Sequence, residues 1–228
     1  MLQPVEERVR LAVYEALART GRVPDRATLA READLADDVV DAAVERLAQA
    51  RHVVLDDAGR VVLAHPFATV SFGFAVMGER TLWWGGCAWD SFAIPHLVPA
   101  EPVVLVSTRC PGCDAALAWV VSREGPPEGD EVAHFLVPMA QVWDDVVRTC
   151  GHQRLFCSPG CVDRWLRATG NTRGYVMDLG ALWRLASGWY AGRLEPGYRR
   201  REPAEAKDYF RQVGLRGPFW GLDDSPGT

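Results

Sequence analysis

The sequence lacks the features that would place it in a membrane, outside the cell or on nucleic acid. No apolar run reaches the ~18 residues that a membrane-spanning helix needs. The opening stretch MLQPVEERVR carries charges where a signal peptide needs an apolar segment, so we expect a cytoplasmic protein. Basic residues do not predominate, since 25 Lys and Arg stand against 30 Asp and Glu for a formal net charge of -5. This balance makes nucleic acid an unlikely partner.

The chain has enough apolar residues to fold. Of its 228 residues, 48% are hydrophobic and 24% are charged, values close to the globular average that exclude general disorder. The length allows one large domain or two small ones. Nine Trp residues are many for this length and indicate a wide aromatic core or pocket.

Residue patterns divide the chain into three regions and predict an α+β fold. Residues 1–65 contain three segments with helical periodicity, followed by two β-rich runs at 53–55 and 61–63 with a turn between them, which predicts a winged-helix-like module. Residues 66–192 mix strand and helix patterns and predict a mixed α/β core. Residues 193–228, rich in charge, Gly and Pro, predict a C-terminal extension on the surface.

Within the core, the predicted elements alternate irregularly between strands and helices. The predicted strands cover residues 69–76, 81–84, 103–107, 117–122 and 132–136. The predicted helices cover residues 87–97, 139–148, 160–168 and 181–191.

A winged-helix-like module often binds DNA, and the charge of its third helix indicates whether it can. This helix carries more acidic than basic side chains, namely Asp37, Asp38, Asp41 and Glu45 against Arg46 and Arg51. An acidic face is poorly suited to approach phosphates, which favours a structural or dimerising module over DNA contact.

All six cysteines lie between Cys87 and Cys161, so the chemistry is expected in the middle of the chain. In a cytoplasmic protein, cysteines are read as metal ligands or reactive thiols before they are read as disulfides.

Four of the cysteines form two pairs with zinc-ligand spacing. Cys110 and Cys113 flank a Pro-Gly turn, as in a zinc knuckle, and Cys157 and Cys161 precede a helical run. A knuckle pair with a helix-start pair is the ligand plan of a treble clef, so we expect a treble-clef-like element with a closed structural zinc site. The alternative is a redox pair with two buried thiols.

The remaining cysteines, Cys87 and Cys150, belong to no local pair. If a helix begins near Cys87, Asp90 lies one turn further on the same face, where its carboxylate can accept or return the thiol proton. A thiol at a helix start is also expected to ionise more easily. The alternative is that both cysteines are buried and inert.

The segment 82–95, LWWGGCAWDSFAIP, resembles the signature of the alkylmercury (organomercurial) lyases. That family has an aromatic strand, then Cys-Ala-x-Asp-(Ser/Thr), then an apolar stretch ending in Phe/Ile-Pro. The segment 150–158, CGHQRLFCS, is similar to the family's second catalytic cysteine region, and the resemblance extends over roughly residues 5–192. Cys113 and Cys157 have no counterpart in these lyases, so the four-cysteine site would be an addition.

The resemblance implies an enzyme that cleaves carbon–mercury bonds by protonolysis, giving a hydrocarbon and Hg(II). It implies that Cys87, Asp90 and Cys150 are catalytic, with the two thiols binding mercury, and that no organic cofactor is needed. Small thiols and a mercuric reductase would be its partners. The aromatic side chains near the signature are candidates for an apolar substrate lining or for ordinary core packing: Trp83, Trp84, Trp89 and Phe92.

Two other functions stay open on the sequence. One is a zinc-containing sensor or regulator that uses Cys87 and Cys150 to bind a soft metal without turnover. The other is a lyase-family enzyme that acts on a substrate without mercury.

Overall fold

The computed structural model of the protein describes residues 2–223, so residues 224–228 of the predicted C-terminal extension lie outside it. The described residues form eight α-helices and ten strands in two sheets, which is the predicted α+β fold. None of the described helices has the length and apolar character needed to cross a membrane.

Three helices form the N-terminal module: α1 (Pro4–Thr20), α2 (Arg26–Ala33) and α3 (Asp37–Gln49). The Asp25 carboxylate accepts a hydrogen bond from the Thr28 amide and so starts α2. Every third or fourth residue of α1 is buried, which fixes the side of the helix that faces α2 and α3.

The larger sheet joins this module to the core. Its strands are β1 (Val54–Leu55), β2 (Val61–Ala64), β3 (Phe67–Ala68), β4 (Ala75–Met77), β5 (Leu82–Gly85), β6 (Val103–Arg109) and β7 (Ala116–Ser122). Their order is β1-β2-β3-β5-β4-β6-β7, and all neighbours are antiparallel. The predicted hairpin is therefore the edge of the main sheet, because β2 pairs with β3.

One central helix, α4 (Ala88–Leu97), follows β5 directly. Most of its residues are apolar and almost all are buried, as expected of a helix inside the molecule. It packs mainly against α7 (Leu179–Trp189) and also contacts several strands of the larger sheet. The start of α4 is thereby held in the middle of the fold.

The second sheet contains β8 (Val132–Phe135), β9 (Gln153–Phe156) and β10 (Tyr175–Asp178), in the order β10-β8-β9. Helix α5 (Val146–Gly151) leads directly into β9, and α6 (Pro159–Thr169) follows it. Because β9 is an edge strand, it has a strand partner on one side only.

Two predicted core elements differ from the observed ones. The strand predicted at residues 69–76 is wrong, because β3 ends at Ala68 and a loop with Gly73 at φ +87° precedes β4. The helix predicted at residues 139–148 is also wrong. Residues Met139–Gln141 form a short 3₁₀ turn, and the Asp145 side chain accepts from the Arg148 amide to start a separate helix, α5.

The C-terminal extension is part of the core, which corrects the expectation of a surface tail. It forms α8 (Pro203–Gln212) and a 3₁₀ turn at Pro218–Trp220. Phe210 and Trp220 are buried and pack against Trp89 of α4. The charge content of this region predicts a surface position, but its buried aromatic side chains stabilise the fold.

Candidate functional site

Cys87 and Asp90 lie together at the start of α4. Cys87 is the residue that precedes the first turn, and its Sγ accepts a hydrogen bond from the Asp90 amide at 3.4 Å. The Ser91 hydroxyl donates to the Cys87 carbonyl at 2.7 Å and completes the turn. The thiol and the carboxylate therefore share one face of the helix start, as the spacing predicts.

Gly86 makes this tight approach possible. A Cβ atom at this position would lie 2.4 Å from Oδ2 of Asp90, closer than non-bonded atoms allow. Any side chain here would push the Asp90 carboxylate away, which explains on steric grounds why glycine precedes Cys87.

The fold brings Cys150 to the same place, 63 positions along the chain from Cys87. Cys150 lies in the last turn of α5. The Cys87 and Cys150 thiols are close enough that each affects the pKa of the other. The Cys150 sulfur, an Asp90 oxygen and a His65 nitrogen all lie within 4.8 Å of one another.

Burial keeps both thiols protonated, contrary to the expectation for a helix start. Burial raises the pKa of Cys87 well above its usual value, and the contacts with Cys150 and the Asp90 carboxylate raise it further. The hydrogen bond with Cys87 lowers the pKa of Cys150, but burial and the Asp90 charge together leave it raised. Desolvation thus outweighs the helix N-terminus, and a metal must displace a proton from each thiol.

Two further residues hold the buried Asp90 carboxylate. His65 Nδ1 lies 3.0 Å from Oδ2, and the Tyr190 hydroxyl donates to Oδ1. Arg193 supports both residues, because it donates to the His65 carbonyl at 2.6 Å and its guanidinium lies 4.7 Å from the centre of the Tyr190 ring. Sequence reasoning missed these groups because they lie 25 and 100 positions from Asp90 and carry no local motif.

The four predicted lining residues do not share one cavity wall. Trp83 and Trp84 face opposite sides of β5: the buried Trp83 donates to the Leu17 carbonyl of α1, and Trp84 lines an open groove beside α2 and α3. Trp89 packs among the aromatic side chains of the C-terminal extension, and Phe92 packs against Trp119. The positions alternate along a strand and turn around a helix, so neighbours in sequence diverge in space.

Other side chains surround the thiols and the carboxylate. The His65 ring meets Trp143 edge to face at 6.2 Å, and Trp143 in turn lies under Arg51 and Arg200. Burial lowers the pKa of Arg154, and the negative charge of a Cys87 thiolate would counter that shift.

The other four cysteines form a separate cluster. The sulfur atoms of Cys110, Cys113, Cys157 and Cys161 all lie within 4.8 Å of one another. Cys113 and Cys157 are 3.5 Å apart, and all six cysteines of the chain are free thiols. The predicted pairing of a Cys-Pro-Gly-Cys turn with a helix start is thus present in the fold.

Comparison with known proteins matches the chain to one enzyme family. The family model described as alkylmercury lyase matches residues 68–191, which is more than half of the chain. A crystal structure of the mercury-bound form of MerB2 is similar to the fold, with a TM-score of 0.64 and 15% sequence identity. The similarity covers 86% of this chain and 93% of that chain. No curated protein sequence matches significantly.

Proposed function

This chain belongs to the alkylmercury lyase family and is a carbon–mercury lyase, and we propose that Cys87, Cys150 and Asp90 carry out the cleavage. The observation that supports this assignment is the meeting of two buried thiols and one buried carboxylate, brought together from α4 and α5. Mercury is a soft metal that prefers thiolate ligands, and the departing carbon needs a proton donor. The three side chains supply both requirements.

Capture of the substrate begins with the thiols. The substrate is R–Hg–X, in which R is the organic group and X is a displaceable ligand such as a small thiolate. As a Cys87 or Cys150 sulfur forms a bond to mercury, its proton moves to the nearby Asp90 carboxylate and X leaves. The second thiol then adds, so that mercury carries R and two sulfur ligands. The proton from this second thiol combines with the released X to give HX.

Cleavage returns the stored proton to carbon. Two sulfur ligands place electron density on mercury and weaken its bond to R. Protonated Asp90 donates its proton to the carbon while the carbon–mercury bond breaks. The balance is R–Hg–X plus two thiols giving R–H, HX and Hg(II) bound by Cys87 and Cys150. A general acid positioned this way typically accelerates proton transfer by ~10²–10⁴-fold.

Tyr190 and His65 are positioning residues in this scheme. Each contacts a different oxygen of Asp90, so the carboxylate cannot rotate freely away from the thiols.

We expect Tyr190→Phe to lower cleavage by about 10–100-fold, since a hydrogen bond to a charged group contributes about 1.5–3 kcal/mol. Without the hydroxyl the carboxylate is free to rotate away from the thiols, so kcat should fall while the affinity for mercury stays unchanged. Tyr209→Phe is the matched control, because its hydroxyl donates to the Leu185 carbonyl away from Asp90. Unchanged kcat in Tyr190→Phe, or an equal loss of mercury affinity, would contradict the positioning role.

The direct test of the function is hydrocarbon release. Purified protein, incubated with phenylmercury and excess small thiol, should release benzene over many turnovers. Heat-denatured protein at the same thiol concentration measures the uncatalysed background. Mercury binding without benzene would instead support a soft-metal sensor, and turnover of another substrate alone would support a non-mercury enzyme.

Release of the product requires partners from outside the chain. We propose that small thiols of the cytoplasm remove Hg(II) from the two cysteines by ligand exchange and that a mercuric reductase consumes it. A buried dithiolate holds mercury tightly, so exchange with competing thiols is the chemically available route.

The N-terminal module is proposed to be winged-helix-like and structural. Trp83 of the core donates to the Leu17 carbonyl, and Arg10 of α1 donates to the Arg193 and Glu195 carbonyls. These contacts, together with the acidic residues of α3, support the proposal that the module stabilises the core and does not bind DNA. A structural zinc ion at the four-cysteine cluster is a separate proposal and does not depend on the carbon–mercury chemistry.

A further inference from the structure

We propose that Cys110, Cys113, Cys157 and Cys161 hold one Zn²⁺ ion that joins the two sheets and thereby keeps Cys150 in place. The zinc site stands on its own geometry. Its effect on Cys150 rests on the proposed function of that thiol. The site is distinct from the Cys87 and Cys150 pair that binds the mercury of the substrate.

The sulfur positions fit a tetrahedral ion. Zinc–sulfur bonds of about 2.3 Å in a tetrahedron place the sulfurs about 3.8 Å apart. The four sulfurs lie within 4.8 Å of one another, and the Cys113–Cys157 separation is 3.5 Å. Four thiolates fill every position of such a site, so it is structural and offers no place for a substrate.

The backbone around the cluster is shaped to bring the two pairs together. The Cys157 amide donates to the Cys110 sulfur at 3.5 Å, a contact that favours a thiolate. Gly112 lies against the start of α6, where an added Cβ would be 2.2 Å from the Cys161 carbonyl oxygen. Arg164 of α6 donates to the Gly112 carbonyl and supports the same approach.

The cluster connects elements that otherwise belong to different sheets. Cys110 follows β6 of the larger sheet, whereas Cys157 and Cys161 follow β9 of the smaller one. A small apolar group that contains Phe156 and Val162 lies beneath the cluster. An ion at this point therefore ties the end of β9 to the end of β6.

The short strand β9 connects the proposed zinc site to Cys150. Cys150 lies at the end of the six-residue helix α5, and only Gly151 and His152 separate it from β9. Strand β9 is an edge strand, paired only with β8. Burial of β9 and the hydrogen bond from Arg154 to the Phe72 carbonyl also restrain this segment. Without the ion, the end of β9 loses its connection to β6, and we expect the distance between Cys150 and Cys87 to vary more.

Metal analysis of protein purified without added zinc tests the site itself. The parent should contain about one equivalent of zinc, and Cys113→Ser should contain none, because a closed tetrathiolate site requires all four ligands. Asp114→Asn is the matched control, since the neighbouring residue is exposed and Asn tolerates its φ of +60°. Iron in place of zinc, a metal-free parent, or full zinc content in Cys113→Ser would overturn the proposal.

Stability and mercury capture test the structural role. Cys113→Ser should unfold about 10 °C or more below the parent, because metal binding at a structural site contributes directly to folding. Its folded fraction should bind mercury about 10–100-fold more weakly, the scale for losing groups that orient metal ligands. If this variant does not fold, removal of zinc from the parent by a chelator provides the same comparison. Full capture and cleavage after zinc loss would overturn the link to Cys150.

A titration with one equivalent of Hg(II) separates the two metal sites. Mercury should bind at Cys87 and Cys150 without release of zinc, and Cys87→Ser should keep its zinc while losing that binding. Stoichiometric zinc release by the first equivalent would overturn the proposal of a separate structural site. A parent that contains zinc but releases no benzene would refute the proposed function alone, so the two failures are distinguishable.

Discussion

Asp90→Asn should produce a protein that still captures mercury but cleaves the carbon–mercury bond ~10²–10⁴-fold more slowly. The substitution keeps the size of the side chain and leaves both thiols in place. An amide neither accepts a thiol proton nor delivers one to carbon at neutral pH. Capture depends mainly on the sulfur atoms, and the thiol protons can also leave with the displaced ligand. Cleavage has no such alternative route.

Parallel measurements of benzene release and mercury binding check this expectation. Asp178→Asn is the matched control, because Asp178 caps α7 by accepting from the Ala181 amide and Asn caps helices equally well. It should behave like the parent. Undiminished cleavage in Asp90→Asn would mean that the proton comes from another group. A parent without turnover, in which Asp90→Asn changes no mercury affinity, would favour the sensor interpretation.

Local sequence patterns predict the parts of the structure that depend on neighbouring residues. The spacing from Cys87 to Asp90 predicted a shared helix face, and α4 begins at Ala88 as that spacing requires. The three N-terminal helices follow from the helical periodicity of residues 1–65. Each of these features depends on contacts within about one helical turn.

Elements that depend on distant partners were not predictable in this way. Strands β9 and β10 are four residues each and are stabilised by pairing with β8 on both of its sides. Helix α8 lies in a charged segment, and only its packing against α7 reveals its buried Phe210. Short segments of this kind obtain their structure from tertiary contacts that propensity does not record.

The residues of the candidate site also differ in whether local sequence or distant contacts determine their place. Asp90 follows from local spacing, whereas Cys150 was paired with Cys87 only through the family resemblance. The groups that hold the carboxylate, His65 and Tyr190, come from β2–β3 and from the end of α7, and no motif connects them. The sign of the thiol pKa shift was also missed, because the extent of burial at Cys87 is a property of the whole fold.

Cys87→Ser and Cys150→Ser should each abolish turnover, by on the order of 10⁴–10⁶-fold, the scale for removal of a catalytic nucleophile. A serine hydroxyl is a hard ligand and does not replace a thiolate on mercury. Each variant keeps one thiol, so it should bind the organomercurial through a single sulfur and exchange it readily with small thiols. The measurements are benzene release and mercury retained after dialysis against thiol.

The pH dependence of capture provides an independent check on these thiols. Because the pKa values of Cys87 and Cys150 are raised, the thiolate fraction is small at neutral pH and grows as pH rises toward those values. The parent should therefore capture mercury faster as pH increases above neutrality. In Asp90→Asn this rise should begin at lower pH, because the carboxylate charge that helps to raise both thiol pKa values is gone. Capture that is already maximal and independent of pH at neutrality would mean that a thiolate exists before the substrate binds. In that case Asp90 would act only as the donor to carbon, and its loss would impair cleavage while leaving the rate of capture unchanged at every pH.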